Sequence, residues 1–478
     1  MRVGSRNNAI YHCFFALFAA FAIFVYNVIP IKARASFLLV ANLLFYGFWA
    51  WWAPLFLLAY ASINYFITNN LHLVVGRRRT FFTFLLIGAN VIIFFLLSLT
   101  SFPAIQFAIQ NYYLTLQVLF PLGFSYCMFK TIGYIVDVSF GTIVPGGSFL
   151  HYLLYITFFP QITMGPISRA DYFLPQCIMQ KKLTYSTFIR SMTLILFGYV
   201  KKLIFADRIS AIIASYYAEL AYDNGLGWLI ISVMFTLQLY LDFSGYSDIS
   251  IGISGLLGYE IKPNFIAPFW AKTITDYWHR WHVSLSNWLS DYVFTPINFQ
   301  LRKKGIWGAA IASVATLCIS GFWHGLETNY ALWGLIIGIS IAVGTLTKKT
   351  RRKLTKKSPA ILNTPLSIAT TFCYIVFTNV LIRSSDFAAS KYIYSRIFNP
   401  LYYSFSLGFA PKTIGIFLFA LLVVIVSHIR EAHETYCFEI IENRPLIVRW
   451  LVAYIIIFAL LLFGVSDNTF GGFIYAQF

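Results

Sequence analysis

Charge is scarce in this 478-residue chain: Asp, Glu, Lys and Arg together make up 11% of it, against a share of about 25% in ordinary soluble domains. A surface so poor in charge cannot face water over most of its area, which excludes a cytosolic enzyme and a disordered chain. Cysteine is limited to six scattered residues (Cys13, Cys127, Cys177, Cys318, Cys373 and Cys437) with no C-x-x-C pair. A secreted disulfide scaffold and a cysteine metal site are therefore not expected. No internal repeat, low-complexity tract or flexible linker is found along the chain.

Apolar residues fill the space left by charge. They make up 59% of the chain, and Phe, Tyr and Trp alone make up 19%, more rings than core packing requires and suited to the belts at bilayer interfaces. Acid is rarer than base, with 17 Asp and Glu against 35 Lys and Arg, a net charge of +18. The excess falls in runs between apolar stretches: Arg77 to Arg79, Arg302 to Lys304, and Lys348 to Lys357. Such runs mark cytoplasmic loops and attract anionic lipid headgroups. No helix-turn-helix or single-strand-binding pattern accompanies them, so no nucleic-acid partner is expected.

A bilayer-spanning helix needs roughly 20 mainly apolar residues, and continuous runs of that length read as helices because lipid leaves no other way to satisfy the backbone. Spans are expected near residues 10–29, 36–52, 54–75, 80–98, 117–138, 148–165, 187–205, 226–243, 306–323, 330–346, 360–382, 413–428 and 447–465. The fold class is thus all-α, a polytopic integral membrane protein of about 11–13 transmembrane helices. Segments near 103–116 and 246–258 read as re-entrant or short. Lys32 and Arg34 crowd Ala33 and Ala35 after the first run, which predicts an uncleaved first span instead of a signal peptide. The expected organisation is a membrane core over 1–346, a basic cytoplasmic loop over 347–359 and a C-terminal helical group over 360–478.

Ionisable groups inside membrane protein are costly and mark cavities or partners. His12, His72, His151, His428 and His433 occur singly near expected span ends and read as interfacial hydrogen-bonding groups. The stretch from Ile261 to Gly305 is different, crowded with Trp, His, Asp, Ser and Asn. Within it, His279 and His282 are spaced i,i+3, which would place both on one face of a helix. H-E-x-x-H is absent, and no metal site is expected. His324 lies in Gly321-Phe322-Trp323-His324-Gly325 at the end of a long apolar run, about 18 residues or roughly 27 Å from Ile306. An imidazole in a water-poor pocket there could act as a base, or be a satisfied core histidine, with Glu327 orienting the ring or capping the turn. Asp242 and Asp248, with Ser244 and Ser247, read either as an acid pair or as a polar span end that caps the next helix. Phe158 to Arg169 reads as a helix break whose freed carbonyls need partners, with Arg169 available to an anionic headgroup or substrate.

Taken together, these motifs resemble the membrane-bound O-acyltransferase family, in its bacterial branch of alginate O-acetylation and teichoic-acid D-alanyl transfer proteins. The matching pieces are Pro121 to Ser125 with Tyr134 to Asp137, Phe158 to Arg169, Asp242 to Gly258, Pro263 to Phe269, Tyr277 to Pro296 and Gly321 to Gly325, in family order. The resemblance implies a ring of helices around a thin centre, with a tunnel leading an acyl donor from the cytoplasm to His324. It implies His324 as the catalytic histidine, His282 as its second histidine, and Trp281, Ser286, Trp323, Arg169 and Asp242 as substrate-binding residues. His279 departs from the branch's pattern and receives no catalytic role.

The implied reaction is acetyl transfer to a cell-envelope or secreted polysaccharide, from acetyl-CoA or an acylated carrier protein as substrate, with no permanently bound cofactor. The implied setting is the bacterial cytoplasmic (inner) membrane, with a periplasmic or extracellular acetyltransferase as partner. D-alanyl transfer to teichoic acids is the alternative. A transporter or flippase without covalent chemistry would call for matched repeats or broken helices, which the sequence does not display.

Overall fold

The computed structural model describes residues 8–99, 123–162, 164–179, 181–218, 223–355, 359–404, 411–433, 440 and 442–464. The segment at 103–116, Pro121, Leu122, Lys356, Lys357 and Cys437 lie outside the described residues. Helices dominate the remainder, and among the described residues eight are long and apolar enough to cross a membrane. The protein is a multi-pass, all-helical membrane protein. Several expected spans are shorter than the apolar runs suggest. The run at 148–165 is a helix only over Phe149–Thr157, because Pro160 has no N–H to continue the ladder and the chain turns through Phe159–Gln161. The run at 187–205 is a helix over Tyr185–Tyr199 that passes into π-helix over Val200–Ala206.

Two compact units are formed. Over the described residues, one contains 12–192 and 250–262, the other 1–11, 193–249 and 263–478. In the first, the break after Phe158 wraps the buried amine of Lys130. Its Nζ donates to Tyr155 O at 3.0 Å and Gln161 Oε1 at 2.8 Å. Gln161 Nε2 in turn donates to Pro166 O and Ser168 Oγ, both at 2.7 Å, and Tyr155 OH donates to Ser168 O. Carbonyls around the break, Tyr155 O, Ile156 O, Pro166 O and Ser168 O, thus find donors, as a buried backbone requires. Gly123, at φ +66°, lies where a Cβ would meet Ile162 O at 2.0 Å, so the turn into the helix Phe124–Ser139 requires glycine.

The second unit holds the histidines of interest. Its hairpin Ile306–His324 and Thr328–Leu346 packs through small residues: a Cβ on Gly321 would meet Tyr330 O at 2.5 Å, and one on Gly334 would meet Leu317 O at 2.4 Å. Close backbone approach of this kind is how helices associate without a hydrophobic drive in lipid. The C-terminal helices Ala360–Arg383, Pro411–Ala432 and Leu446–Phe463 belong to the same unit. None of Leu446–Phe463 is buried, which suits a helix facing acyl chains. The basic stretch expected to be a loop is helical over Lys348–Thr355.

A long helix, Gly225–Leu256, replaces the expected span end near Phe243. Asp242, Ser244, Ser247 and Asp248 lie in its interior and cap nothing, and the segment 246–258 is neither re-entrant nor short. The helix runs on with its carboxylates paired to basic side chains. Asp242 Oδ1 lies 2.7 Å from Lys202 Nζ, which also meets Asp207 at 2.8 Å. Asp248 lies 2.9 Å from Lys201 Nζ and 2.8 Å from Arg430 Nη2. The π-helical turn brings both consecutive lysines inward, and π-bulges are frequent at functional sites.

Candidate active site

His282 is buried, at 1% exposure, and its backbone lies in the left-handed region at φ 44°. That conformation costs a residue with a Cβ roughly 1–2 kcal/mol, and Asn264 holds it. Asn264 O accepts from Val283 N–H at 2.9 Å. Asn264 Oδ1 accepts from Ser284 N–H at 3.2 Å and Ser284 Oγ–H at 2.8 Å, and lies 3.2 Å from His282 Nδ1. An oxygen that takes the Ser284 N–H can only accept, so the imidazole proton sits on Nδ1 and Nε2 is left as the basic nitrogen. Nε2 is buried with no hydrogen-bond partner among the described residues. Phe243 packs edge-on against the ring at 4.7 Å. Burial, and next the charge of His324, push the His282 pKa well below its ordinary value, so the ring is a neutral base.

The helix Ile274–Trp278 starts at Thr273, whose side chain accepts from Asp276 N–H, and it ends before His282. His279 and His282 therefore do not share a helical face: His279 is exposed while His282 is buried. Asp276 pairs with Arg280 at 2.7 Å. Among the described residues no group of three His, Cys, Asp or Glu side chains could hold a metal.

His324 is the last residue of Ile306–His324 and 8% exposed. The helix starts at Ile306 without delay, so its 19 residues carry His324 roughly 27 Å along the axis from the first. Aromatic rings hold it: Trp323 at 4.4 Å, Trp333 edge-to-face at 5.2 Å and 89°, and Tyr330 at 6.3 Å. A Cβ on Gly325 would meet the Tyr330 ring at 2.5 Å, so glycine after the histidine lets that ring close over it. Glu327 is exposed at the start of the next helix and its side chain does not cap it.

The remaining expected residues separate by place. Trp281 is buried, stacked on Tyr277 at 5.6 Å, and its carbonyl accepts from Ser286 Oγ at 3.1 Å. Asp242 belongs to the Lys202 ion pair. Arg169 precedes the helix Ala170–Ile178 in the other unit. His428, near the end of the helix Pro411–Ala432, is buried at 1% exposure, and its Nε2 accepts from Phe269 N–H at 3.0 Å. Sequence reading passed over Asn264, Lys201, Lys202, Arg430 and Glu431. The one available signal was two adjacent lysines inside an apolar run.

Residues 146–385 match the model of the membrane-bound O-acyltransferase family. With the many-helix architecture, this makes the protein a multi-pass membrane acyltransferase. The chain belongs to the membrane-bound O-acyltransferase family. It is 29% identical over 398 residues to the probable alginate O-acetylase of Pseudomonas putida, covering 81% of this chain and 79% of that one. It is 28% identical over 364 residues to the peptidoglycan O-acetyltransferase of Helicobacter pylori (68% and 67% covered). It is 31% identical over 268 residues to the teichoic acid D-alanyltransferase of Bacillus subtilis (54% and 67%).

Proposed function

We propose that this protein transfers an acetyl group from a cytoplasmic thioester, acetyl-CoA or an acylated carrier protein, toward a hydroxyl of a cell-envelope or secreted polysaccharide. In this reading it works in the bacterial inner membrane with a periplasmic or extracellular acetyltransferase partner. The observation that supports it is a buried His324 enclosed by three aromatic rings in a chain of acyltransferase family. The two acetyl-transferring relatives align with 81% and 68% of the chain, the D-alanyl relative with 54%. That difference favours acetyl over D-alanyl.

A hydroxyl is a weak nucleophile near neutral pH. His324 takes its proton as the oxygen attacks the thioester carbonyl, a contribution of about 10²–10⁴-fold. The carbon–sulfur bond then breaks, and the thiolate leaves with the proton that the imidazolium returns. His282, with a bare Nε2, serves as the second base or positions the donor. A relay in which the acyl group rests on a histidine before moving on uses the same residues.

Cells carrying His324→Ala at normal membrane abundance test the proposal. Polysaccharide acetylation lost in the variant is expected. Normal acetylation with the protein present removes His324 from the reaction.

A further inference from the structure

The last turn of the helix Pro411–Ala432 carries a carboxylate where the macrodipole favours cations. This side chain, Glu431, is 5% exposed and spends both oxygens. Oε1 accepts from Tyr240 OH at 2.6 Å and Oε2 from Ala267 N–H at 2.7 Å. Lys201 Nζ and Arg430 Nη2 each lie 3.9 Å from Oε1. One turn back on the same helix, His428 Nε2 accepts from Phe269 N–H at 3.0 Å, and its ring stacks on Phe269 at 5.2 Å. Pro268 has no N–H to give, so this helix takes both backbone donors that residues 267–269 offer.

These contacts bear on His282. Residues 264–266 run antiparallel to 280–283: Ile266 N–H donates to Arg280 O at 3.0 Å and Val283 N–H to Asn264 O at 2.9 Å, while Arg280 Nη1 donates to Ile266 O at 3.3 Å. Phe265 packs on Tyr240 at 5.7 Å, Phe243 at 5.1 Å and Trp281 at 5.0 Å. Ala267, at φ 48°, and His282, at φ 44°, are the non-glycine residues with positive φ among the described residues, one beside each end of this pairing. Backbone in that region persists where its surroundings over-determine it, and it gathers at functional sites.

We propose that Glu431, assisted by His428, is a positioning residue for acyl transfer. By fixing Ala267 and Phe269, the helix sets the register of 264–266 against 280–283. That register keeps Asn264 Oδ1 on His282 Nδ1 and leaves Nε2 as the basic nitrogen. The inference rests on the acyl-transfer reading, and Glu431 acts through Asn264, not on the reacting atoms. Both residues lie beyond 146–385, the stretch that matches the family model.

The test reads the His282 ring directly, by ¹⁵N NMR of the full-length, vesicle-reconstituted protein labelled at histidine, with His282→Gln assigning its signals. In the parent a protonated Nδ1 and an unprotonated Nε2 are expected. Glu431→Ala is expected to turn that single tautomer into a mixture, and Glu431→Gln, which keeps an acceptor for Ala267, to retain it. Polysaccharide acetylation in cells, per protein in the membrane, is expected to fall about tenfold in Glu431→Ala. Adding Asn264→Ala should lower it no further, because both changes act on one ring. If Glu431→Ala does not accumulate, His428→Leu, which removes the acceptor of Phe269, takes its place with the same expectations. A single Nδ1–H tautomer in the variant, or losses that multiply in the double variant, would overturn the positioning role. His324→Ala is measured alongside. Acetylation lost there but parental in Glu431→Ala would overturn the role of Glu431 and leave the acyl-transfer reading standing. Equal acetylation in the parent and His324→Ala would overturn that reading, and the role of Glu431 with it.

Discussion

Asn264 Oδ1 lies 3.2 Å from His282 Nδ1, and as an acceptor only it takes a hydrogen bond from that nitrogen's N–H, which fixes the tautomer of a buried base. The same oxygen holds Ser284 through two further hydrogen bonds, so the asparagine sets both the ring and the backbone turn beneath it. Asn264→Ala is expected to lower kcat about tenfold, the equivalent of one hydrogen bond of about 1.4 kcal/mol. Asn264→Asp is expected to do something different: a carboxylate beside the ring favours the protonated imidazole, so activity recovers only as pH rises. The pH profiles of the two variants check this, and superimposable profiles would remove Asn264 from tautomer control.

The depressed His282 pKa also bears on stability. The native state binds fewer protons at this site than the unfolded chain, whose imidazole titrates near 6.5. Its contribution is therefore constant above about pH 6.5 and is lost as pH falls below that value. The thermal midpoint in detergent should hold between pH 8 and pH 7 and drop toward pH 5. His282→Gln should flatten part of that drop. An unchanged slope in the variant would assign the acid sensitivity elsewhere.

Gly321 and Gly334 set the spacing of the hairpin that carries His324. Gly334→Ala drives a Cβ to 2.4 Å from Leu317 O, and overpacking of this kind costs about 1–3 kcal/mol. Reduced membrane abundance and a lower midpoint are expected. Gly344→Ala, where a Cβ would come no nearer than 3.5 Å to the Arg351 side chain, is the matched substitution expected to be harmless.

Lys202 lies between two buried carboxylates, at 2.8 Å from Asp207 and 2.7 Å from Asp242. Lys202→Met leaves both without their cation, a loss of about 3–5 kcal/mol. Adding Asp207→Asn and Asp242→Asn to the same chain should recover much of it. Chemical denaturation of the three proteins in detergent measures the recovery, and none would argue that the pair serves something other than the fold.

The class of fold and the two histidines were legible because each leaves a linear signature: long apolar runs, a Phe-Trp-His-Gly end, and a polar island between residues 261 and 305. Tertiary partners leave none. Asn264 meets His282 across a turn, and Glu431 accepts from the backbone of Ala267 at 2.7 Å, pairings that no local periodicity encodes. The continuation of Gly225–Leu256 through two aspartates was illegible for the same reason. The arrival of Lys201 and Lys202 from a π-helical turn, with Arg430 beside Asp248, makes the carboxylates tolerable there. The His279 and His282 spacing misled because a left-handed residue at 282 ends the helical geometry that the spacing assumes.

Acyl transfer through His324 is tested most directly by supplying thioester carrying radiolabelled acetyl to vesicles of the parent and of His324→Ala at equal protein density, and measuring label in polysaccharide when the partner acetyltransferase is present. Label in the parent, with a loss of at least about 10²-fold in the variant, is the predicted result. Equal label in both would contradict a reaction that runs through this imidazole.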